Sequence, residues 1–423
     1  MQLLRTTAPL LLVFIAACDN SGKSSDSDKT PAASQTDAGS KATDVDVLRD
    51  LPYAGSVEDD SGEDADGVVL LDSERSYPGY NLFSSHTLAR ADLVDEHGRS
   101  IKSWSQPDVR HWAHVELLAN GDLLMTGADR VAGTHAIVDS ARFLMRMNWD
   151  GEVVWKKMIN AHHDGEQTPD GKILTLTFER RKVPEMQTSA DVRDDHLTLL
   201  DKDGNLLESV SLLDLVRASA GLFRIQPVRE TRQGNQTPWI DLFHCNTVEW
   251  MHRANLFDKD PIYAPTNVLV CSRHQDRVFI VNWQTKKIVW AWGVGEVSGP
   301  HDAQVLENGH ILIFDNGLNR EPKYSRVIEL DPLTNKIVWQ YKADPPEDFF
   351  TVSRGSNQRL PNGNTLIANS DHGEAFEVTS HGRVVWRFLN PNRDKQGKRG
   401  TIVRIRRYER AFIDKLLAEH DAG

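Results

Sequence analysis

IELDPLTNKIVW (Ile328–Trp339) is one copy of a phrase that returns along the chain. The others are LVDEHGRSIKSW (Leu93–Trp104), MNWDGEVVW (Met147–Trp155), LLDKDGNLLE (Leu199–Glu208), IVNWQTKKIVW (Ile280–Trp290) and FEVTSHGRVVW (Phe376–Trp386). Each is a strand, a polar turn and an alternating strand, the pattern of a β-hairpin. Four of the six place Trp at one offset from the turn, Trp104 falls two residues later on the same strand face, and the third copy carries Glu208 instead. A second phrase precedes most copies: VELLANGDLLMT (115–126), EQTPDGKILTLT (166–177), AQVLENGHILIF (303–314) and NQRLPNGNTLIA (357–368). Asn-Gly and Asp-Gly favour tight hairpins because a type I′ turn needs positive φ at both central residues. The fourth unit spells this pair as His244 to Trp250 and Asn267 to Ser272, with an insertion between. Two successive hairpins make a four-stranded meander of about 40–50 residues, the unit of a β-propeller blade.

The expected fold is therefore all-β: a six-bladed β-propeller of four-stranded antiparallel blades over residues 67–408. The recurring Trp is read as blade-to-blade packing, because one large aromatic per repeat serves the core. The first unit holds Tyr80 to Ser84, Arg90 to Asp95 and Ser100 to Trp104 but lacks an opening strand. TIVRIRR (Thr401 to Arg407) is a spare strand at the other end, and a closed ring removes its edges by letting the two ends share a blade. The tail, 409–423, has helical spacing.

Composition places the protein among soluble globular chains, with 39% hydrophobic residues and 26% charged ones. Three cysteines exclude a disulfide scaffold or a Cys-rich zinc fold. The net charge is −12, and between Asp19 and Asp66 thirteen acids face four bases, so the remaining body is near neutral. It carries no basic stripe, and nucleic acid is not an expected partner. Near the N-terminus, APLLLVFIAA (8–17) follows Arg5 and ends in Ile15-Ala16-Ala17-Cys18, which resembles a bacterial lipobox. The run is too short to span a bilayer but fits a signal-peptide core. Residues 1–17 are thus expected to be a lipoprotein signal peptide, Cys18 the lipid anchor, and 18–66 a disordered acidic tether. The expected location is the bacterial cell envelope, periplasm-facing or on the outer surface, with the lipid as the membrane contact.

The phrases YPGYNLF (77–83), HHDGEQTPDGKILTLTFE (162–179), HDAQVLENGHILIFDNG (301–317), YSRVIELDPLTNKIVWQY (324–341) and GSNQRLPNGNTLIANSD (355–371) resemble the bacterial arylsulfotransferase (ASST) family. These PAPS-independent enzymes of the β-propeller type move a sulfuryl group between phenols without an adenylyl-sulfate donor. The resemblance covers the repeat region and implies six blades, aryl sulfate and phenol as small-molecule partners, and no cofactor.

Residues just before an innermost propeller strand line one mouth of the central channel. His114, His163 with His162 beside it, His244 and His301 hold such places in four units, and they are expected to form a ring. Imidazole suits proton transfer to a phenolate or capture of a sulfuryl group. Charge on the sulfuryl oxygens calls for fixed cations, and Arg320, after the Asp315-Asn316-Gly317 turn, is the candidate. By resemblance His244 and His301 occupy two family active-site histidine positions and Arg320 the family arginine, which makes these three the expected catalytic set. His163 and His114 are the expected substrate-binding pair. The family's nucleophilic His, shortly before an aromatic pair, falls here on Glu347 in Pro346-Glu347-Asp348-Phe349-Phe350. Either another ring histidine takes that role, or transfer is direct, or activity has been lost. The last case defines the alternative reading, a non-catalytic propeller lipoprotein acting as a binding or assembly module. A quinone-dependent dehydrogenase shares the Gly/Trp hairpins, but six units and so many histidines speak against it.

His162-His163-Asp164 and His301-Asp302 are adjacent residues that point to opposite strand faces, so neither pair chelates a metal alone, and no metal is expected. Cys245 and Cys271 lie on neighbouring strands, where a disulfide and two separate thiols are both conceivable. Cys18→Ser is expected to release the body from the membrane. Fractionation after a carbonate wash checks this, and a variant that stays with the membrane contradicts the anchor.

Overall fold

The computed structural model describes residues 65–421 apart from 87, 135–136, 187 and 232–237, together with Val45, Leu48, Arg49, Ser56 and Val57. The signal segment and Cys18 lie outside the described residues, and no described helix is long and apolar enough to cross a membrane.

Six antiparallel sheets follow one another around a central channel. In chain order, blade 2 is Val109–Leu117, Leu123–Asp129, Arg142–Met147 and Val153–Lys157. Blade 3 is His162–Gln167, Ile173–Arg181, Asp191–Leu200 and Leu206–Ser211. Blade 4 is Cys245–Trp250, Asn267–Ser272, Arg277–Asn282 and Lys287–Trp292. Blade 5 is His301–Val305, Ile311–Asp315, Arg326–Asp331 and Lys336–Tyr341. Blade 6 is Ser356–Arg359, Thr365–Asn369, Glu374–Val378 and Val384–Leu389. Blade 1 takes Tyr80–Ser85, Arg90–Val94 and Ser100–Ser105 from the start of the ring, and its innermost strand, Arg404–Tyr408, from the end.

The expected closure is present with two differences. Pairing begins at Arg404, opposite Ser84, with Val403 donating its N–H to the Ser84 carbonyl, while Ile402 donates to Ser370 of blade 6. Gly67–Leu71, to which the sequence reading gave no strand, adds a fifth strand to the outer edge of blade 6, with Leu71 opposite Trp386. Its two exposed apolar residues, Val69 and Leu70, break the alternation that marks the other strands.

Alternate residues of a strand face opposite sides of its sheet, so each blade has two apolar faces and the core lies between blades. Six hydrophobic clusters result, one per interface: Leu93 with Met125 between blades 1 and 2, Leu144 with Leu200, Val248 with Leu176, Ile280 with Ile328, Phe314 with Phe376, and Phe388 with Phe83 at the closure.

The recurring Trp closes the outer part of these interfaces through its indole N–H. Trp104 donates to the carbonyl of Trp149, Trp155 to Lys202, Trp290 to Pro332, Trp339 to Ser380 and Trp386 to Glu96, each acceptor lying in the outer turn of the next blade. The third blade, which lacks the Trp, links to the same turn of blade 4 by an ion pair from Glu208 to Lys286 at 2.8 Å.

The inner strands are joined by channel-lining side chains. Asp164 accepts from the N–H of Val248, Glu249 from Val305, Asp302 from Asn357 and Gln358 from Arg407, so each blade's side chain satisfies backbone on the next. Glu116, Glu166, Glu249, Gln304, Gln358 and Arg406 hold one register position in six blades, each opposite a Leu on the second strand. Arg404 of the closing strand reaches across the channel to Asp164 at 3.0 Å and Asp302 at 3.2 Å. Removing one partner of a buried ion network strands the other charges and costs about 3–5 kcal/mol. Arg404→Ala is therefore expected to lower unfolding free energy by about 3 kcal/mol or more. Urea titration checks this, and a loss below about 1 kcal/mol, the range of a surface pair, contradicts the role given to the closing strand.

Candidate functional site

The inner strands all start at one end of the channel, and among the described residues that entrance gathers seven imidazoles. His111 comes from blade 2, His162 and His163 from blade 3, His244 and His274 from blade 4, His301 from blade 5, and His86 from the end of the second strand of blade 1. Ring contacts run His86–His111 at 4.7 Å, His162–His163 at 5.0 Å, His163–His244 at 4.8 Å and His244–His274 at 4.5 Å between centroids. Guanidiniums from Arg142, Arg193, Arg273 and Arg354 are among the charges acting on these rings.

The backbone is bent sharply to present them. His163, His244 and Arg354 have φ of +59°, +47° and +60°, a left-handed conformation that non-glycine residues adopt at a cost and that concentrates at functional sites. After Arg354 the chain passes Gly355, where a Cβ would sit 2.4 Å from the ring of Phe314.

His301 is held at both nitrogens. Its Nδ1 meets Asn316 Oδ1 at 2.7 Å and the carbonyl of Gly299 at 2.9 Å, and its Nε2 accepts the N–H of Arg354 at 3.3 Å. His244 Nδ1 meets Asp241 Oδ2 at 2.6 Å. Asp241 reaches the site because Trp239–Asp241 pairs in parallel with Asp191–Arg193 at the edge of blade 3.

The expected ring of four histidines therefore divides. His163, His244 and His301 share the entrance, whereas His114 lies deeper along its strand. There its Nδ1 is 3.3 Å from Asp164 and its Nε2 3.1 Å from the carbonyl of Gly165. It borders a cavity of about 260 Å³ farther down the channel, beside Glu166, Glu249, Gln304, Arg406 and Tyr408. The cause is register: the strand of blade 2 starts earlier and carries two irregularities, so equal sequence spacing does not give equal depth.

Arg320 stands 4.7 Å from the ring of Tyr324 and pairs with Asp315, the residue before the Asn316 that touches His301. Glu347 is exposed on a short 3₁₀ turn, Pro346–Asp348, in the connection from blade 5 to blade 6. Cys245 and Cys271 are free thiols. They face opposite sides of blade 4, Cys245 in the cluster toward blade 3 and Cys271 in that toward blade 5, which corrects the conceivable disulfide. Arg49, from the stretch read as tether, lies 2.6 Å from Asp276, and Arg273 donates to its carbonyl at 3.0 Å.

Asp241, His244 and His274 offer ligand atoms within 4.8 Å of one another, as do Glu179, Asp194 and His196 among the described residues. Guanidiniums stand beside both groups. Arg193 is 3.6 Å from Asp241, Arg273 is 3.0 Å from His274, and Arg181 is 2.7 Å from Asp194. These charges oppose a cation and favour an anion. The residues missed in the sequence are His86, His111, His274, Arg193, Arg273, Arg354, Asp195 and Asp241. A usable signal existed for one of them: Asp241, three residues before His244.

A closed ring of six antiparallel blades defines a β-propeller, with imidazoles and guanidiniums gathered at one end of its channel. The model of the family described as Arylsulfotransferase (ASST) matches residues 113–391. The chain belongs to that family, for which sulfuryl transfer is the family-level activity. No curated protein sequence matches the chain. Among solved structures it is similar to a protein of unknown function from Bacteroides caccae, with 14% identity over 78% of this chain and 98% of that one and a TM-score of 0.47. It is also similar to a streptogramin B lyase, with 10% identity over 81% and 97% of the two chains and a TM-score of 0.45.

Burial is the first cause that lowers the imidazole pKa values, and neighbouring arginines add to it. His301 and His111 fall to about 3 and His162 and His114 to about 4, while His244 is lowered and His163 and His274 lie well below the usual range. A base depressed in the fold gives stability that is present above its unfolded pKa, about 6.5, and lost as pH falls toward the folded value. Burial acts in the opposite sense on Glu249, pushed up to about 7, and on Glu166, raised well above its ordinary value. The imidazoles outnumber these carboxyls, so the melting temperature is expected to fall as pH drops from 7 to 5, and His114→Asn to flatten that fall. Thermal melts across this range check it, and a wild-type melting temperature that is constant or rises toward pH 5 contradicts the reading.

Proposed function

We propose that the chain is an aryl sulfotransferase that moves a sulfuryl group from an aryl sulfate to a phenolic acceptor at the imidazole-lined entrance, and that it does so on the bacterial cell envelope as a lipid-anchored protein. The observation that carries the reading is the gathering of Arg142, Arg193, Arg273 and Arg354 around His163, His244 and His301. Sulfuryl exchange spreads negative charge over three oxygens in the transition state, and preorganised guanidinium donors in a dry site stabilise that charge most effectively. Neutral imidazoles supply the proton acceptor that a phenol needs at neutral pH.

His301 and Arg320 support this site in different ways. His301 is fixed by Asn316 and Arg354, and Arg320 braces Asp315 in the turn next to Asn316. Glu347, where the family nucleophile falls, is exposed, and this favours direct transfer or another imidazole over the family arrangement. It is also the observation that supports the second reading, a non-catalytic propeller that binds a partner at the same mouth.

A chromogenic aryl sulfate decides between them. The wild type is expected to release phenol, faster with a phenolic acceptor present. His244→Ala and Arg273→Ala should each lower the rate by about 100–1,000-fold, the usual cost of losing one such contact. A wild type inert toward a panel of aryl sulfates promotes the binding module.

A further inference from the structure

Six side chains from three strands and one connection form a closed circuit at the entrance. Arg193 Nε lies 3.3 Å from Asp195 and its Nη1 3.6 Å from Asp241. Asp241 Oδ2 meets His244 Nδ1 at 2.6 Å, and Asp195 Oδ1 faces His162 Nε2 at 3.4 Å. His162 Nδ1 meets His163 Nδ1 at 2.7 Å, and the rings of His163 and His244 are 4.8 Å apart. We propose that Arg193, Asp195 and Asp241 are positioning residues that fix the protons on His163 and His244 so that these two imidazoles act as the base and acid of sulfuryl exchange. The proposal rests on the aryl sulfotransferase reading.

The proton positions follow from donor and acceptor rules. An ionised carboxylate only accepts, so the proton between Asp241 and His244 sits on Nδ1 and the lone pair of His244 on Nε2. Asp195 Oδ1, 3.4 Å from His162 Nε2 and outside hydrogen-bond geometry, favours the Nε2–H form of His162 by its charge, and Nδ1 is then an acceptor. His163 must donate from Nδ1 into it, and its lone pair also falls on Nε2. Two Asp-His arrangements of different length thus give the same result, a pair of neighbouring imidazoles with basic Nε2 atoms. Asp195 is anchored by the N–H of Cys245 at 2.7 Å, and Arg193 stands over the Phe178 ring at 4.0 Å, so the clamp is rigid on both sides. The other charged or titratable groups acting on the pair are Arg142 at His163, and Arg273 and His274 at His244.

The exchange itself needs opposite proton transfers at its two ends. The S–O bond to the donor phenol breaks and a new S–O bond to the acceptor phenol forms. One imidazole takes the proton from the acceptor hydroxyl, and the other, protonated, gives its proton to the leaving phenoxide. The bound sulfate anion favours that protonation, because a nearby negative charge stabilises imidazolium. After one turnover the pair has exchanged roles and holds the same number of protons.

Nitrogen-15 NMR of the full chain labelled at histidine reads the proton positions without any substrate. His244 is expected to carry its proton on Nδ1, and Asp241→Asn to move it to Nε2, since a carboxamide N–H₂ can donate to Nδ1. Asp241→Asn and Asp195→Asn are each expected to lower kcat for aryl sulfate exchange by about 10²–10⁴-fold and to remove one limb of a bell-shaped pH profile. Arg193→Lys, which keeps the charge but cannot span both carboxylates, should lose activity in the same range and serves if an Asp variant does not fold. Turnover by a wild type whose His244 proton sits on Nε2, or variants with unchanged kcat and profile, overturns the clamp and leaves the sulfuryl reading standing. Proton positions as assigned in a wild type that turns over no aryl sulfate overturn the sulfuryl reading and the acid and base roles with it.

Discussion

The inner strand of every propeller blade has one edge that its own sheet cannot pair, and that edge faces the channel. Unpaired backbone groups there would be costly in a dry interior. This chain answers with side chains from the preceding blade: Asp164 to Val248, Glu249 to Val305, Asp302 to Asn357, Gln358 to Arg407. The buried acids of the channel are thus first of all backbone partners, and the closing arginines Arg404 and Arg406 balance their charge. Farther out, the indole N–H groups repeat the arrangement against the outer turns. Between the two belts lie six apolar clusters, and none of them is shared by all blades.

The entrance is built where this belt stops. His163, His244 and Arg354 sit there in left-handed backbone, beside His86 and His274 from the ends of second strands. Burial keeps the imidazoles neutral while no anion is bound, and the arginines supply charge without titrating. A site of neutral bases and permanent cations is suited to an anionic substrate that must not be held by a full set of positive imidazoles.

Much of the fold was readable because its signal is local. The Trp phrase and the Asn-Gly phrase each report a hairpin within about a dozen residues, and repetition turned hairpins into blades. Even the exception was informative, since Glu208 replaces an indole hydrogen bond by an ion pair to Lys286. Gly67–Leu71 escaped because five residues with two apolar ones outward carry no clean period. The site was readable only in part. His163, His244 and His301 announce themselves by residue type before a strand, but the depth of His114 depends on irregular pairing that composition does not encode. Arg193, Asp195 and Asp241 come together because a short parallel pairing follows a long connection, a long-range event with no sequence pattern of its own.

The ring also dictates an order of events during biosynthesis. Arg404–Tyr408 pairs with Tyr80–Ser85 across more than three hundred intervening residues, so blade 1 cannot be completed until nearly the whole polypeptide has emerged. Until then Tyr80–Ser85 is an open template for wrong partners, and pairing at such separation is slow. A chain of this kind completes its ring late, which makes the final strand the step at which a folding helper would matter most.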